Sequence, residues 1–138
     1  MKAFRAAPVA LFGLILALAA CSTTESPSGT TLTGDLTEYQ IALSATSAPA
    51  GPVTFNVKNS GTIVHEFVIL KTDTLAKDLP LVGEAVVEDD FSPVGEVPET
   101  DPGASGTFTA TLAAGHYAII CNIEGHVAKG MVTDFTVN

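Results

Sequence analysis

The sequence holds 138 residues, 46% hydrophobic and 15% charged, with 12 Gly, 8 Pro and no Trp. That hydrophobicity excludes a disordered chain, and the length suits one domain with a closed core. Fifteen acidic residues against six basic ones, a formal charge of −9, exclude nucleic acid as a partner, because phosphate binding needs clustered Lys and Arg.

Residues 1–20 read as an export signal. Lys2 and Arg5 form a short basic start, and the apolar run from Val9 to Ala20 is too short to span a bilayer. It ends Leu18-Ala19-Ala20-Cys21, small residues placed directly before a cysteine. This resembles the lipobox of bacterial lipoproteins, which implies cleavage before Cys21 and lipidation of its thiol. An ordinary cleaved signal with an incidental Cys21 is the alternative. Residues 21–33 are rich in Ser, Thr, Gly and Pro and read as a flexible tether. The expectation is an exported protein, lipid-anchored to a membrane facing the periplasm or cell exterior, without a transmembrane helix. With Cys21 lipidated, Cys121 is the one thiol left, and a lone cysteine in an oxidising compartment needs a reason. A Cys21–Cys121 disulfide is the bland alternative.

From Gly34 onward the pattern is almost all period two. Ile41 and Leu43, then Val53, Phe55 and Val57, then His65, Phe67 and Ile69 alternate with their neighbours. Phe108, Ala110 and Leu112 do the same, as do Phe135 and Val137. Alternation marks half-buried strands, and the separators are turn chemistry such as Asn59-Ser60-Gly61 and Asp101-Pro102-Gly103. No stretch carries an amphipathic helix, although Thr74 to Asp78 has room for a turn or two. The fold class expected for residues 34–138 is all-β, a single Greek-key β-sandwich domain. The segment Asp78 to Asp101 holds eight acidic residues with no Lys or Arg. It reads as a solvated, excursive loop in preference to an acidic docking surface for a basic partner.

The chemistry concentrates near the end of the chain. Cys121-Asn122-Ile123-Glu124-Gly125-His126 runs on through Val127-Ala128-Lys129-Gly130 to Met131, so four residues separate Cys from His and four separate His from Met. Upstream, His65 opens the most hydrophobic strand. One thiol, two imidazoles and one thioether make a soft and borderline donor set suited to copper. Three of the four fall on one loop between strands, and His65 must come from a neighbouring strand end. Gly125 and Gly130 let that loop pack tightly. Taken singly, Cys121, His65 and Met131 each have a bland reading as core residues. His116 lies off the motif and reads as an exposed strand residue.

These residues resemble those of the cupredoxins, the type 1 or blue-copper family, across essentially the whole domain. The match runs from Pro49-Ala50-Gly51-Pro52-Val53-Thr54-Phe55 and Asn59, through His65-Glu66-Phe67, to Gly115-His116-Tyr117 and the Cys121–Met131 loop. The loop spacing is most similar to auracyanin- and rusticyanin-like proteins. The resemblance implies one type 1 copper ion, with His65 and His126 as imidazole ligands, Cys121 as thiolate and Met131 as weak axial ligand. It also implies that His126 lies nearest the surface, in an apolar patch for which Ile123 and Val127 are candidates. Glu66 departs from the Asn often found after the first histidine, which leaves support of the cysteine sulfur open.

The function expected is single-electron transfer between membrane-associated or periplasmic redox proteins, with cytochromes or a terminal oxidase as partners and a monomer as the default. A copper-binding or delivery protein without electron transfer is the alternative, although no Met-rich tract supports it. A multicopper enzyme needs more histidines than this chain has. A Cys–His hydrolase lacks an evident orienting group. Zinc accepts the same Cys and His donors but has no use for the axial Met.

Overall fold

The computed structural model describes residues 29–138, so the leader and the lipidation candidate Cys21 lie outside the described residues. Eleven strands are seen: β1 Thr30–Thr37, β2 Gln40–Leu43, β3 Ser47–Ala48, β4 Gly51–Asn59, β5 His65–Lys71, β6 Leu81–Val82, β7 Ala85–Val86, β8 Ser92–Thr100, β9 Ser105–Leu112, β10 Gly115–Ile120 and β11 Val132–Val137. They form a four-stranded sheet in the order β2-β1-β4-β9, a five-stranded sheet in the order β3-β11-β10-β5-β8, and the small hairpin β6-β7. Among the described residues helix is confined to three short 3₁₀ turns, one of them at Ala76–Asp78. Among the described residues no helix is long and apolar enough to cross a membrane.

The two large sheets pack face to face, and the period-two residues supply the layer between them. Val53, Phe55 and Val57 of β4 meet Phe67 and Ile69 of β5, Ile119 of β10 and Phe135 and Val137 of β11 in one buried cluster. Phe55 stands at the centre, tilted against Phe67 at 5.4 Å and edge-on to Phe135 at 5.5 Å between centroids. Burying each such ring contributes about 1.5–3 kcal/mol, and aromatic pairing adds about 0.5–1.5 kcal/mol.

Strand β1 begins at Thr30, four residues before the expected domain start, so the end of the proposed tether is strand. It runs parallel to β4 from Thr30↔Val53 to Leu36↔Asn59, with Leu32 and Leu36 turned into the core. Thr and Gly between those leucines gave this stretch a linker-like composition, while its pairing partner lies more than twenty residues away.

The acidic middle is not an excursive loop. Its second half is β8, an edge strand paired antiparallel with β5. The chain from Thr72 to Phe91 covers the outer face of the five-stranded sheet, where Ala76, Leu79 and Val86 pack on Val68, Leu70, Ala118 and Ile120. The central strands β5 and β10 are thus buried on both faces, which explains their unbroken apolar runs. His116 is not the exposed residue expected. Its Nδ1 lies 2.6 Å from the Thr72 carbonyl and its Nε2 2.9 Å from Asp134, whose carboxylate also accepts the Ala76 N–H at 2.8 Å. This trio fastens the cover to the sheet.

Candidate metal centre

Antiparallel pairing of β5 with β10 brings the start of one strand and the end of the other to the same edge of the sandwich. His65 is the first residue of β5, Cys121 follows β10, and Met131 precedes β11. All three are fully buried, and His126 is 7% exposed. His65, Cys121 and His126 converge as one potential metal-binding group. The Cys121 Sγ lies 3.2 Å from His126 Nδ1 and 3.9 Å from His65 Nδ1, and the two Nδ1 atoms are 3.3 Å apart. Bonds of about 2.0–2.1 Å to His and 2.3 Å to Cys, as found at zinc, spread three donors around one ion to separations of this order. The donor set fits a single soft or borderline ion, because both imidazoles turn the same nitrogen toward the sulfur.

The loop that carries three of these residues is closed by its own main chain. The Cys121 N–H donates to the Met131 carbonyl at 3.1 Å, and the Met131 N–H donates to the His126 carbonyl at 3.0 Å. A 3₁₀ turn at Val127–Lys129 follows His126 directly. Gly125 and Gly130 have φ of +83° and +91°, a left-handed backbone that other residues adopt at a cost. At Gly130 a side chain would meet open space, so backbone conformation rather than close packing requires glycine there.

Support for the site comes from residues the sequence reading passed over or left open. The Glu66 N–H donates to Cys121 Sγ at 3.3 Å, so the sulfur is supported by main chain whatever side chain follows His65. Asn59 is fully buried and ties the approach to His65: its Nδ2 donates to the Ile63 and Thr100 carbonyls at 2.8 and 2.7 Å, and its Oδ1 accepts the Gly61 N–H at 2.9 Å. Glu38 accepts from the main-chain N–H groups of Thr62 and Ile63 on the same loop, which holds its carboxyl down at about 2. Asn122 clasps β7, accepting the Val86 N–H at 2.7 Å and donating to the Val86 carbonyl at 3.0 Å and to Glu88 at 2.8 Å. A polar residue next to a candidate ligand was the only local signal for that clasp.

Burial sets the electrostatics. It pushes the Cys121 thiol up, against the opposing N–H bonds from Glu66 and Ile123. It pulls His65 and His126 down, and for His126 the neighbouring His65 adds to the effect. The imidazoles are thereby kept neutral, as metal binding requires, and a metal must displace the thiol proton. The half-buried Glu66 carboxyl is raised to about 7, chiefly by desolvation. The His65 Nε2, on the far side of the ring from the sulfur, has no hydrogen-bond partner among the described residues; Glu38 Oε1 stands 3.9 Å away, beyond bonding distance.

Two imidazoles and a thiol buried together at one end of a two-sheet β-sandwich, with a methionine closing the loop, define the cupredoxins, and the arrangement is that of a type 1 copper site. Within that class, residues 9–138 match the sulfocyanin (SoxE) domain, and the chain belongs to that family. Among solved structures it is similar to reduced auracyanin from Roseiflexus castenholzii, with 25% identity, a TM-score of 0.61, and 79% of this chain and 97% of that chain covered. The fold is shared with rusticyanin from Thiobacillus ferrooxidans at 21% identity and a TM-score of 0.60, covering 82% of this chain and 79% of that one. It is shared too with auracyanin A, a "blue" copper protein from Chloroflexus aurantiacus, at 21% identity and a TM-score of 0.58, covering 80% and 100%. No curated protein sequence matches the chain.

Proposed function

We propose that this protein is a one-electron carrier, exported and held at a membrane by lipid on Cys21, with His65, Cys121, His126 and Met131 as its copper ligands. The observation that carries this reading is the convergence of His65 Nδ1, His126 Nδ1 and Cys121 Sγ in a buried cluster. Copper bound there would supply the redox couple. The chain's own contribution is to hold the donors in one arrangement acceptable to both oxidation states, so that little rearranges. Strand ends fix His65 and Cys121, the Cys121–Met131 and His126–Met131 main-chain bonds fix the loop, and burial excludes water. The Glu66 N–H supports the sulfur in its charged form.

Burial favours a carrier over a delivery protein, since an ion held by three fully buried side chains and one 7% exposed is poorly placed for handover. An enzyme with further copper ions finds no support, because the third histidine, His116, is engaged by Thr72 and Asp134 on the outer face. Partners would be redox proteins such as cytochromes or a terminal oxidase. A chain with net charge −9 fits a partner whose docking face is basic.

The test is the visible spectrum of the copper(II)-loaded protein and of Cys121→Ser. An intense thiolate-to-copper band that bleaches on reduction and vanishes in the variant is expected. A colourless loaded protein, or a band unchanged in Cys121→Ser, overturns the reading.

A further inference from the structure

His126 is the ligand expected at the surface, yet it is 7% exposed, and a tyrosine covers it. The ring of Tyr39, just before β2, stands edge-on to the His126 imidazole, with centroids 5.2 Å apart and planes at 78°. Tyr39 itself is only half-buried. Lys129, from the turn that follows His126, lays its ammonium 4.4 Å over the Tyr39 ring centroid and donates to its hydroxyl at 3.0 Å. The tyrosine is thus held by two residues of the metal-binding loop, though ninety positions of sequence separate Tyr39 from Lys129. Glu38, its chain neighbour, anchors the loop that presents Ile63 at 38% exposure.

We propose that Tyr39 is the coupling residue through which electrons pass between His126 and a docked partner, an inference that rests on the carrier reading above. Electronic coupling falls steeply across gaps and is carried best through packed groups. A partner touching this face meets the Tyr39 ring, which is already in contact with the imidazole. One electron moves from the reduced site to the partner; no bond forms or breaks at Tyr39, and its proton stays on Oη. The Lys129 cation against ring and hydroxyl disfavours removing an electron from the tyrosine, so Tyr39 serves as a bridge and not as a radical station.

The test compares electron self-exchange, measured by NMR line broadening on the copper-loaded full chain, in wild type, Tyr39→Leu and Tyr39→Phe. Tyr39→Leu is expected to slow exchange about tenfold, equivalent to about 1.4 kcal/mol. Its visible spectrum and reduction potential should stay as in wild type, and Tyr39→Phe, which keeps the ring, should restore the rate. In metal-free protein the His126 ring-proton shifts should move in Tyr39→Leu but not in Tyr39→Phe. A measurement on unmutated protein complements these: tetranitromethane should nitrate Tyr39 and spare the fully buried Tyr117. Unchanged exchange in Tyr39→Leu, a slow Tyr39→Phe, a displaced visible band in the leucine variant, or a Tyr39 protected from nitration would each overturn the proposal. A wild type that shows the copper band but no self-exchange instead overturns the carrier reading, and this inference with it.

Discussion

The main-chain N–H of Glu66 points at Cys121 Sγ from 3.3 Å, across 55 positions of sequence. Because the donor is backbone, changing the side chain leaves the bond in place. Glu66→Gln and Glu66→Asn are therefore expected to keep the thiolate-to-copper band. Removing a carboxyl beside the site also removes negative charge that favours the oxidised ion, so the reduction potential should rise in both. Absorption spectra and voltammetry at pH 8 check the two halves separately.

Gly61 has a role that its turn-like neighbours conceal. A Cβ there would stand 2.9 Å from His65 Nε2, 2.8 Å from Glu38 Oε1 and 3.2 Å from Asn59 Oδ1. The imidazole cannot yield without leaving the sulfur, so Gly61→Ala is expected to displace His65. Weaker copper binding and a shifted visible band should follow, whereas Gly83→Ala, whose Cβ meets nothing within 4 Å, should leave the band alone. Copper titration followed by absorbance tests the pair.

Asn59→Ala would leave the Ile63 and Thr100 carbonyls and the Gly61 N–H without their partner. Unmet buried groups of this kind cost about 1–3 kcal/mol each when water cannot reach them. The expected outcome is a loss of about 2–4 kcal/mol in denaturant unfolding of the metal-free protein, smaller if solvent enters the opened loop.

Asn122→Ala should detach β7 from the metal-binding loop without removing a ligand. Three bonds are lost, to the Val86 N–H, the Val86 carbonyl and Glu88. Hydrogen exchange at the Val86 amide is expected to accelerate while protection in β4 stays as in wild type. Equal loosening of both would show that the cover does not open independently.

Alkali should act through Tyr117, which is fully buried and donates to the Ala113 carbonyl at 2.7 Å. Desolvation raises its folded pKa above the unfolded value of 10.0. Above pH 10 the unfolded chain binds fewer protons than the folded one, so stability is intact below that pH and falls as pH rises beyond it. Tyr117→Phe is expected to lose about 1 kcal/mol at neutral pH and to flatten the alkaline decline. Unfolding midpoints between pH 7 and 11 measure both effects.

The four candidate ligands were legible because three of them lie in eleven residues of one loop, where identity and spacing carry the chemistry. The alternation of β4, β9 and β11 was legible for a similar reason: burial of one face imposes a period of two on the residues themselves. Strand β1 was hidden by its Thr and Gly, whereas β8 was hidden by its charge and prolines, which an edge strand tolerates. In each case the partner strand, not the local composition, makes the element.

Donor chemistry and strand pattern are properties of short windows, and they alone mark the chain as a β-sandwich with a soft metal site. The supports of that site belong to no window. Glu66 reaches Cys121 across 55 positions, Asn59 reaches Thr100 across 41, and Lys129 reaches Tyr39 across 90. Hydrogen bonding and packing at such separations depend on which strands become neighbours and in what register. A one-residue slip in a strand turns every side chain to the other face. The folded arrangement therefore decided that backbone supports the sulfur, that Gly61 seats His65, and that Tyr39 stands between His126 and the surface.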